Sequence, residues 1–261
     1  MATAEQLDAS KLPAGLTYQH ITASTPAKVS LHIVKLDSAA FIARVSVVKD
    51  RLETKSVSGS PSLASWLLAD FAREYNSSAV VSGGYLSSFT TLEELGYVRS
   101  EKRSLNPRHE SWLLNAIYCE DKDFDINYAQ TVLPLRISYR GCLQAGPMLV
   151  FDGKPQLQDP EKLLASAETD VPAKFFESRR KYVETNQAHL FLCQQKTTLI
   201  IGYTDRIALQ ALARALSNGP EGVGLACDRA MRLPSGGLFV NGTVFGDDLV
   251  YRPNAIVVTH K

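Results

Sequence analysis

The sequence lacks the features by which several protein classes are recognised. It has no G-x-S-x-G elbow, no G-x-x-x-x-G-K-[ST] phosphate loop and no H-E-x-x-H zinc motif. Its longest apolar runs are far shorter than a membrane span. Lys and Arg (28) almost balance Asp and Glu (27), so the formal net charge is only +1. We therefore expect no membrane span and no nucleic-acid partner.

Cysteine and histidine are few and scattered. The four cysteines are Cys119, Cys142, Cys193 and Cys227. They form no C-x-x-C pair, which argues against a zinc ribbon or a thioredoxin-type site. Because three of them lie in apolar, strand-like segments, we interpret them as buried free thiols. The five histidines lack metal-ligand spacing, and His32 and His189 fall inside strand patterns, so we interpret both as structural. We expect no cofactor; the sequence leaves a divalent metal open.

The length of 261 residues suits one to two domains. We predict one domain over residues 12–261, preceded by a flexible segment at 1–11. Residues 1–14 mix charged, Ser and Ala residues without an apolar centre, so no signal peptide is visible. The protein is then either cytoplasmic or exported with its leader removed. The sequence does not indicate an oligomeric state.

The apolar pattern predicts about ten strands and three helices in interleaved order. Segments 29–36 and 41–48 read as one hairpin, and 188–193 with 197–203 as another. Helices are predicted at 61–75, 159–167 and 205–217, the first capped by Ser60 and the last by Thr204. This order favours an α+β fold with a large mixed β-sheet and about three packed helices in a single domain.

Two glycine-containing stretches stand at strand ends. In Ser82-Gly83-Gly84-Tyr85-Leu86 the glycine pair allows close backbone approach, and its exposed N–H groups can bind an anion. The alternative is a plain glycine turn. In Gln144-Ala145-Gly146-Pro147, an unusual backbone at Gly146 would place the Gln144 amide at a strand mouth near a ligand. The alternative is an irregular start of a strand without any ligand.

Taken in order, six landmarks resemble the phosphodiester glycosidase family, whose members include the lysosomal enzyme that uncovers mannose 6-phosphate. The similarity runs from about residue 12 to the C-terminus. The landmarks are Ser82-Gly83-Gly84-Tyr85-Leu86, Gln144-Ala145-Gly146-Pro147-Met148-Leu149-Val150, a basic position at Arg180 or Arg179, the helix at 205–217, Leu225-Ala226-Cys227-Asp228 and Arg252-Pro253-Asn254-Ala255-Ile256.

This resemblance implies hydrolysis of the glycosyl bond of a sugar-1-phosphodiester, on a small molecule or a glycan. It implies that Arg180 grips the phosphate together with the Gly83-Gly84 amides, that Gln144 orients sugar hydroxyls or water, and that Asp228 is the carboxylate on the sugar side. Weaker carboxylate candidates are Glu110 and Asp152. The further substrate-binding residues that we predict are Ser82, Tyr85, Gly146, Arg179 and Asn241. The resemblance also favours an exported protein.

The chain departs from the family pattern at two points. Ser82 stands where the family has Asn, and Asp228 is followed by Arg229-Ala230 where the family has two glycines. A glycine pair comes only later, at Gly236-Gly237. These departures support an alternative function, a catalytically silent carbohydrate- or phosphate-binding protein on the same scaffold.

Overall fold

A computed structural model describes residues 7–24, 28–48, 66–86, 94–132, 139–157, 180–247 and 251–261. The strands in these ranges are β1 (Leu16–Ala23), β2 (Val29–Leu36), β3 (Phe41–Val47), β4 (Ala79–Ser82), β5 (Tyr85–Leu86), β6 (Glu94–Leu95), β7 (Val98–Ser100), β8 (Arg103–Asn106), β9 (Ala116–Glu120), β10 (Phe124–Tyr128), β11 (Gly141–Ala145), β12 (Met148–Phe151), β13 (Lys154–Pro155), β14 (Gln187–Gln195), β15 (Thr198–Ile207), β16 (Arg229–Leu233), β17 (Gly237–Val240), β18 (Thr243–Gly246) and β19 (Asn254–His260). The helices are α1 (Leu68–Tyr75), α2 (Ala129–Val132) and α3 (Leu209–Leu216), with 3-10 turns at Ala9–Lys11 and Trp112–Leu114 and a helical stretch at 180–184.

The described strands form three main sheets and a small hairpin. A seven-stranded sheet has the order β1-β2-β15-β14-β16-β12-β13, and two five-stranded sheets have the orders β10-β9-β11-β7-β8 and β18-β17-β4-β19-β3. Strands β5 and β6 pair alone. The mostly-β composition with a few helices agrees with the α+β prediction. The single mixed sheet was wrong, because the strands divide among several sheets and every described pairing is antiparallel.

Two of the local predictions need correction. Strands β2 and β3 do not form a hairpin: β2 pairs with β1 and β15, whereas β3 pairs with β19 in another sheet. The last helix begins at Leu209, because residues 205–207 continue strand β15. The second hairpin is confirmed as β14 and β15, which turn around Lys196. Ser60, Pro61 and the predicted helix 159–167 lie outside the described residues.

The sheets pack in layers with helices on the outside. The main core joins the seven-stranded sheet to both five-stranded sheets and includes Val81, Tyr118 and Ile201. Helix α3 covers the other face of the seven-stranded sheet, and helix α1 covers the outer face of the sheet that contains β19. Leu7, within the segment 1–11 that we expected to be flexible, packs against the main core.

All four cysteines are paired, as Cys119–Cys142 and Cys193–Cys227, so the interpretation as free thiols was wrong. Cys119 and Cys142 are direct partners across β9 and β11. Cys193 lies in β14, and Cys227 lies in the segment before β16. The paired cysteines are 23 and 34 positions apart, and no linear motif marks such pairs. Within the described ranges no helix is both long and apolar enough to pass through a bilayer.

Candidate functional site

The glycine pair after β4 is locked against the start of β19. The Gly83 N–H donates to the main-chain oxygen of Asn254 (3.3 Å), and the Gly84 N–H donates to Asn254 Oδ1 (2.6 Å). A Cβ at Gly83 would overlap Asn254 Oδ1, so a larger residue does not fit there. The predicted anion-binding role of these amides needs correction, because Asn254 already accepts both hydrogen bonds. Glu94 Oε1 in turn accepts from Asn254 Nδ2 (2.9 Å).

The second glycine pair, Gly236-Gly237, reaches the same place. The buried Ser82 hydroxyl accepts a hydrogen bond from the Gly237 N–H (3.0 Å), and a Cβ at Gly236 would overlap the Ser82 side chain. Arg252 Nη2 donates to the Ser235 carbonyl (2.7 Å) and holds the loop from the other side. The loop that meets the early glycine turn is therefore the one between β16 and β17.

A buried arginine lies beside this loop. Arg232 is 2% exposed, its Nε donates to His189 Nδ1 (3.1 Å), and its Nη1 donates to the Tyr85 hydroxyl. The guanidinium lies over the rings of Tyr85 and Tyr182, at 5.9 and 5.3 Å from their centroids. Among the described residues Arg232 has no acidic partner. A buried cation without a counter-charge is costly, and an anionic ligand would offset that cost.

The tyrosine and histidine around Arg232 hold it in place. The Tyr85 hydroxyl donates to the Gly146 carbonyl (2.9 Å), which ties the arginine to the cis Gly146–Pro147 peptide. His189 Nε2 donates to the Ile207 carbonyl (3.0 Å), so Nδ1 is free to accept from Arg232. Burial, together with the nearby Arg232, lowers the pKa of His189 to about 3. The imidazole is therefore neutral near pH 7, and the structural interpretation of His189 is confirmed.

A cleft of about 690 Å³ opens next to this cluster. It lies between the edge of β14 and β15 and the β16–β17 loop, and its walls include His189, Tyr203, Ser235 and Gly236. Two exposed carboxylates line it from opposite sheets; they are Asp205 and Asp247. Burial raises the pKa of Tyr203, and its bond to Asp205 raises it further. The cleft thus has acidic groups at its rim, and the buried Arg232 lies behind its wall in contact with His189.

Gln144 lies near the site but its amide is fully used inside the protein. Oε1 accepts from the Tyr97 N–H (2.7 Å) and the His109 N–H (3.1 Å). Nε2 donates to the carbonyls of His109 (2.7 Å) and Leu114 (2.6 Å). The side chain is 1% exposed. In this arrangement Gln144 holds the loop that precedes β9, and no hydrogen-bonding atom is left for a sugar.

Asp228 lies at the wrong end of its strand. It precedes β16, whereas Arg232 lies four residues further along, which corresponds to about 13 Å in an extended strand. Its Oδ2 accepts from the Lys196 N–H (2.6 Å) and caps the β14–β15 turn. The predicted meeting of Asp228 with the Gly83-Gly84 turn is therefore not observed. Its position far from the cleft makes it a poor sugar-side carboxylate.

The other predicted residues also lie away from the cleft. Arg180 is exposed and pairs with Glu184 (3.0 Å), two positions before the Tyr182 that contacts Arg232. Asn241 lies in the β17–β18 turn, at the far end of that hairpin from Gly237, and its N–H donates to the Ser78 carbonyl (2.8 Å). The remaining candidates are Glu110, which pairs with Arg108 on the surface, Asp152 in the β12–β13 turn, and Arg179, which lies outside the described residues.

Sequence reasoning missed Arg232, Tyr182 and the cleft carboxylates. One usable signal was present for Arg232, because it is a charged residue inside the apolar segment Ala230-Met231-Arg232-Leu233. Charged residues are rarely buried in a strand without a reason. The two carboxylates carry no such signal, since both are exposed: Asp205 near the end of β15 and Asp247 directly after β18.

Comparison with known proteins supports the fold. No family model matches the sequence, and no curated protein matches it. The catalytic domain of zebrafish N-acetylglucosamine-1-phosphodiester alpha-N-acetylglucosaminidase, auto-inhibited by its pro-peptide, superposes with a TM-score of 0.66 at 16% identity, over 97% of this chain and 85% of that one.

Two further solved structures are similar. A hypothetical protein from Synechocystis has a TM-score of 0.63 at 12% identity, over 95% of this chain and 62% of that one. A protein from Burkholderia pseudomallei, described as a candidate exported protein, has a TM-score of 0.59 at 9% identity, over 91% and 75% of the two chains. The protein is therefore similar in fold, and only distantly in sequence, to the catalytic domain of a phosphodiester glycosidase.

Proposed function

We propose that the protein hydrolyses the glycosyl bond of a sugar-1-phosphodiester, an N-acetylglucosamine-1-phosphodiester or a close analogue, bound in the cleft beside Arg232. The observation that carries the proposal is a buried guanidinium without an acidic partner among the described residues. The shared fold with an enzyme named for this reaction supports it. In this proposal Arg232 takes the phosphate-binding role that the sequence assigned to Arg180.

The charges in the cleft suit this reaction. The diester carries one negative charge, and the departing phosphate monoester gains a second, with a second pKa of about 6, so it needs little protonation. A guanidinium can donate two hydrogen bonds to phosphate, and this interaction strengthens as the charge grows. The rings of Tyr85 and Tyr182 lie against the Arg232 guanidinium and shield it from water.

The sugar side needs a carboxylate, because the anomeric carbon becomes oxocarbenium-like. In the hydrolysis the oxygen of water bonds to the anomeric carbon while the bond from that carbon to the phosphate oxygen breaks. The bonding pair leaves with the phosphate, and the carboxylate takes the proton of the water. Asp205 and Asp247 are the two described carboxylates that line the cleft, and we assign this role to one of them.

The first test compares two arginines. Release of free sugar from an N-acetylglucosamine-1-phosphodiester is measured for the wild type, Arg232→Gln and Arg180→Gln. We expect Arg232→Gln to lower kcat/KM about 30-fold, since a charge-assisted hydrogen bond is worth about 2 kcal/mol. Arg180→Gln is the matched control, and its exposed ion pair predicts a rate within about twofold of wild type. Equal rates for both variants would remove Arg232 from the site.

The carboxylates are tested by Asp205→Asn and Asp247→Asn. Loss of a general base or nucleophile typically lowers the rate about 100-fold, so we expect one of the two variants to lose kcat to this extent with little change in KM. Asp228→Asn serves as the control, because Asp228 caps a distant turn. A large loss of kcat in Asp228→Asn alone would contradict the assignment.

A second candidate function is binding without catalysis. A missing carboxylate supports this candidate. Ser235 precedes the glycine pair Gly236-Gly237, whereas the phosphodiester glycosidase family that the sequence resembles has Asp before its two glycines. If this candidate holds, calorimetry with N-acetylglucosamine 1-phosphate will show binding that Arg232→Gln weakens, while no substrate releases sugar.

We also propose that the protein works in an oxidising compartment outside the cytoplasm. The protein has two disulfides, and such bonds persist mainly in exported proteins. A structural neighbour described as a candidate exported protein agrees with this. Detection of four free thiols in protein isolated from its native source would contradict the proposal.

A further inference from the structure

A second pocket lies at the other end of β19, well away from the cleft. It has a volume of about 520 Å³ and lies between β3, the end of α1 and the β7–β8 turn. Thr259 lines it, five residues along β19 from Asn254, which corresponds to about 17 Å in an extended strand. This pocket is therefore separate from the site proposed for the sugar phosphodiester.

The walls of the pocket are rich in arginine. Arg44 comes from β3, Arg103 from the β7–β8 turn, and Arg140 from the residue before β11. The acidic group among the lining residues is Glu101, and Arg140 already binds it through Nε and Nη2, both at 2.8 Å. The pocket therefore has more cationic than anionic groups.

Arg44 forms no salt bridge within 4 Å among the described residues, although its charge acts on the buried Glu120. Its Nε is buried without a hydrogen-bond partner. Thr259 Oγ1, on the neighbouring strand, is likewise buried without a partner. Buried polar atoms in proteins are nearly always hydrogen-bonded. Two unpaired groups at one pocket, a guanidinium and a hydroxyl, are the donors that an oxyanion would use.

The nearest further acidic group is Glu120, which lies beneath the pocket against Val45 and Gly141. Burial raises its pKa to about 7, although the charges of Arg44 and Arg140 oppose the shift. Below neutral pH most of this carboxyl is therefore protonated. It then does not neutralise Arg44, and the positive charge remains available to a ligand.

We propose that this pocket is a second oxyanion site, which binds the phosphate or sulfate group of a small molecule through Arg44 and Thr259. A tetrahedral oxyanion accepts hydrogen bonds from a guanidinium in pairs, and its remaining oxygens can accept from a hydroxyl. The volume exceeds that of a bare phosphate and leaves space for an attached group. The proposal does not depend on the activity assigned to the cleft.

The test measures binding of inorganic phosphate and of sulfate by calorimetry at pH 6.5, with chloride at equal ionic strength as the reference. Measurements are made in the Arg232→Gln variant, so that the cleft does not contribute. We expect saturable binding with Kd on the order of 1 mM. Adding Arg44→Gln is expected to weaken it at least tenfold. The matched control is Arg73→Gln, an exposed arginine that pairs with Asp70 on α1.

Each outcome bears on the proposal. Binding of phosphate, sulfate or both that is lost with Arg44→Gln and kept with Arg73→Gln supports it, and the preference between the ions identifies the ligand group. Binding that Arg44→Gln leaves unchanged would overturn the proposal, as would no saturable binding up to about 20 mM. Thermal melts of each variant without ligand verify that it is folded, which we expect because Arg44→Gln removes an unpaired charge.

Discussion

Replacing Gln144 by alanine is expected to lower the free energy of unfolding by about 4 kcal/mol. The substitution removes four hydrogen bonds of a buried side chain, to the main chain of Tyr97, His109 and Leu114. Each main-chain group left without a partner costs about 1 kcal/mol or more. The expected loss is large because the loop 107–114 has few other ties to β11, and the whole amide sits in a fully buried position.

Urea unfolding monitored by circular dichroism measures this loss. The control is Gln19→Ala, because Gln19 is exposed on β1 and its replacement should change the free energy by less than about 0.5 kcal/mol. A loss below about 1 kcal/mol for Gln144→Ala would show that the four bonds do not stabilise the fold. If that variant were stable but could not release sugar, Gln144 would have the substrate-binding role that the sequence suggested.

Local backbone chemistry was predictable from the sequence where a residue type has few alternatives. The glycine pair after β4 and Gly146, whose φ is +136°, lie where the sequence indicated special turns. The β14–β15 hairpin was predictable because two apolar runs flank a short polar turn. These features depend on neighbours in sequence, which a single chain displays directly.

Long-range pairing was not predictable in the same way. The hairpin expected from β2 and β3 does not form, because each strand buries its apolar side chains equally well in a different sheet. The disulfides follow from that pairing and were missed with it.

The predicted site residues are separated in the structure for a related reason. Asp228 precedes β16, and Gly236 lies in the loop between β16 and β17. The sequence did not show which of them reaches Ser82. Only the register of β16 decides it, since this strand places Arg232 beside His189 and Asp228 at the opposite end. Arg180, in a polar segment, had the sequence context of a ligand-binding residue more than Arg232, which is buried in an apolar strand.

Replacing Glu120 by glutamine is expected to stabilise the protein by up to about 3 kcal/mol at pH 8 and by almost nothing at pH 4. The carboxyl is 1% exposed, its Oε2 has no hydrogen-bond partner, and burial raises its pKa from 4.5 to about 7. Between these two values the folded state holds a proton that the unfolded state has released. Stability therefore falls as pH rises from 4.5 to 7, by about 1.4 kcal/mol for each unit of pKa difference.

Urea unfolding at pH 4, 6 and 8 tests this dependence. In Glu120→Gln, the free energy of unfolding should no longer fall with rising pH through this carboxyl. The control is Asp123→Asn, because the Asp123 side chain is 90% exposed; it should leave the wild-type pH profile unchanged. Parallel profiles for wild type and Glu120→Gln would contradict the assignment. Because Arg44 opposes the shift, Arg44→Gln should raise the pKa of Glu120 further and move the decline to higher pH. The double variant with Arg44→Gln and Glu120→Gln should then lose the pH dependence that is due to Glu120. This result would distinguish the effect of Glu120 on stability from the effect of Arg44, the arginine that we propose binds the oxyanion.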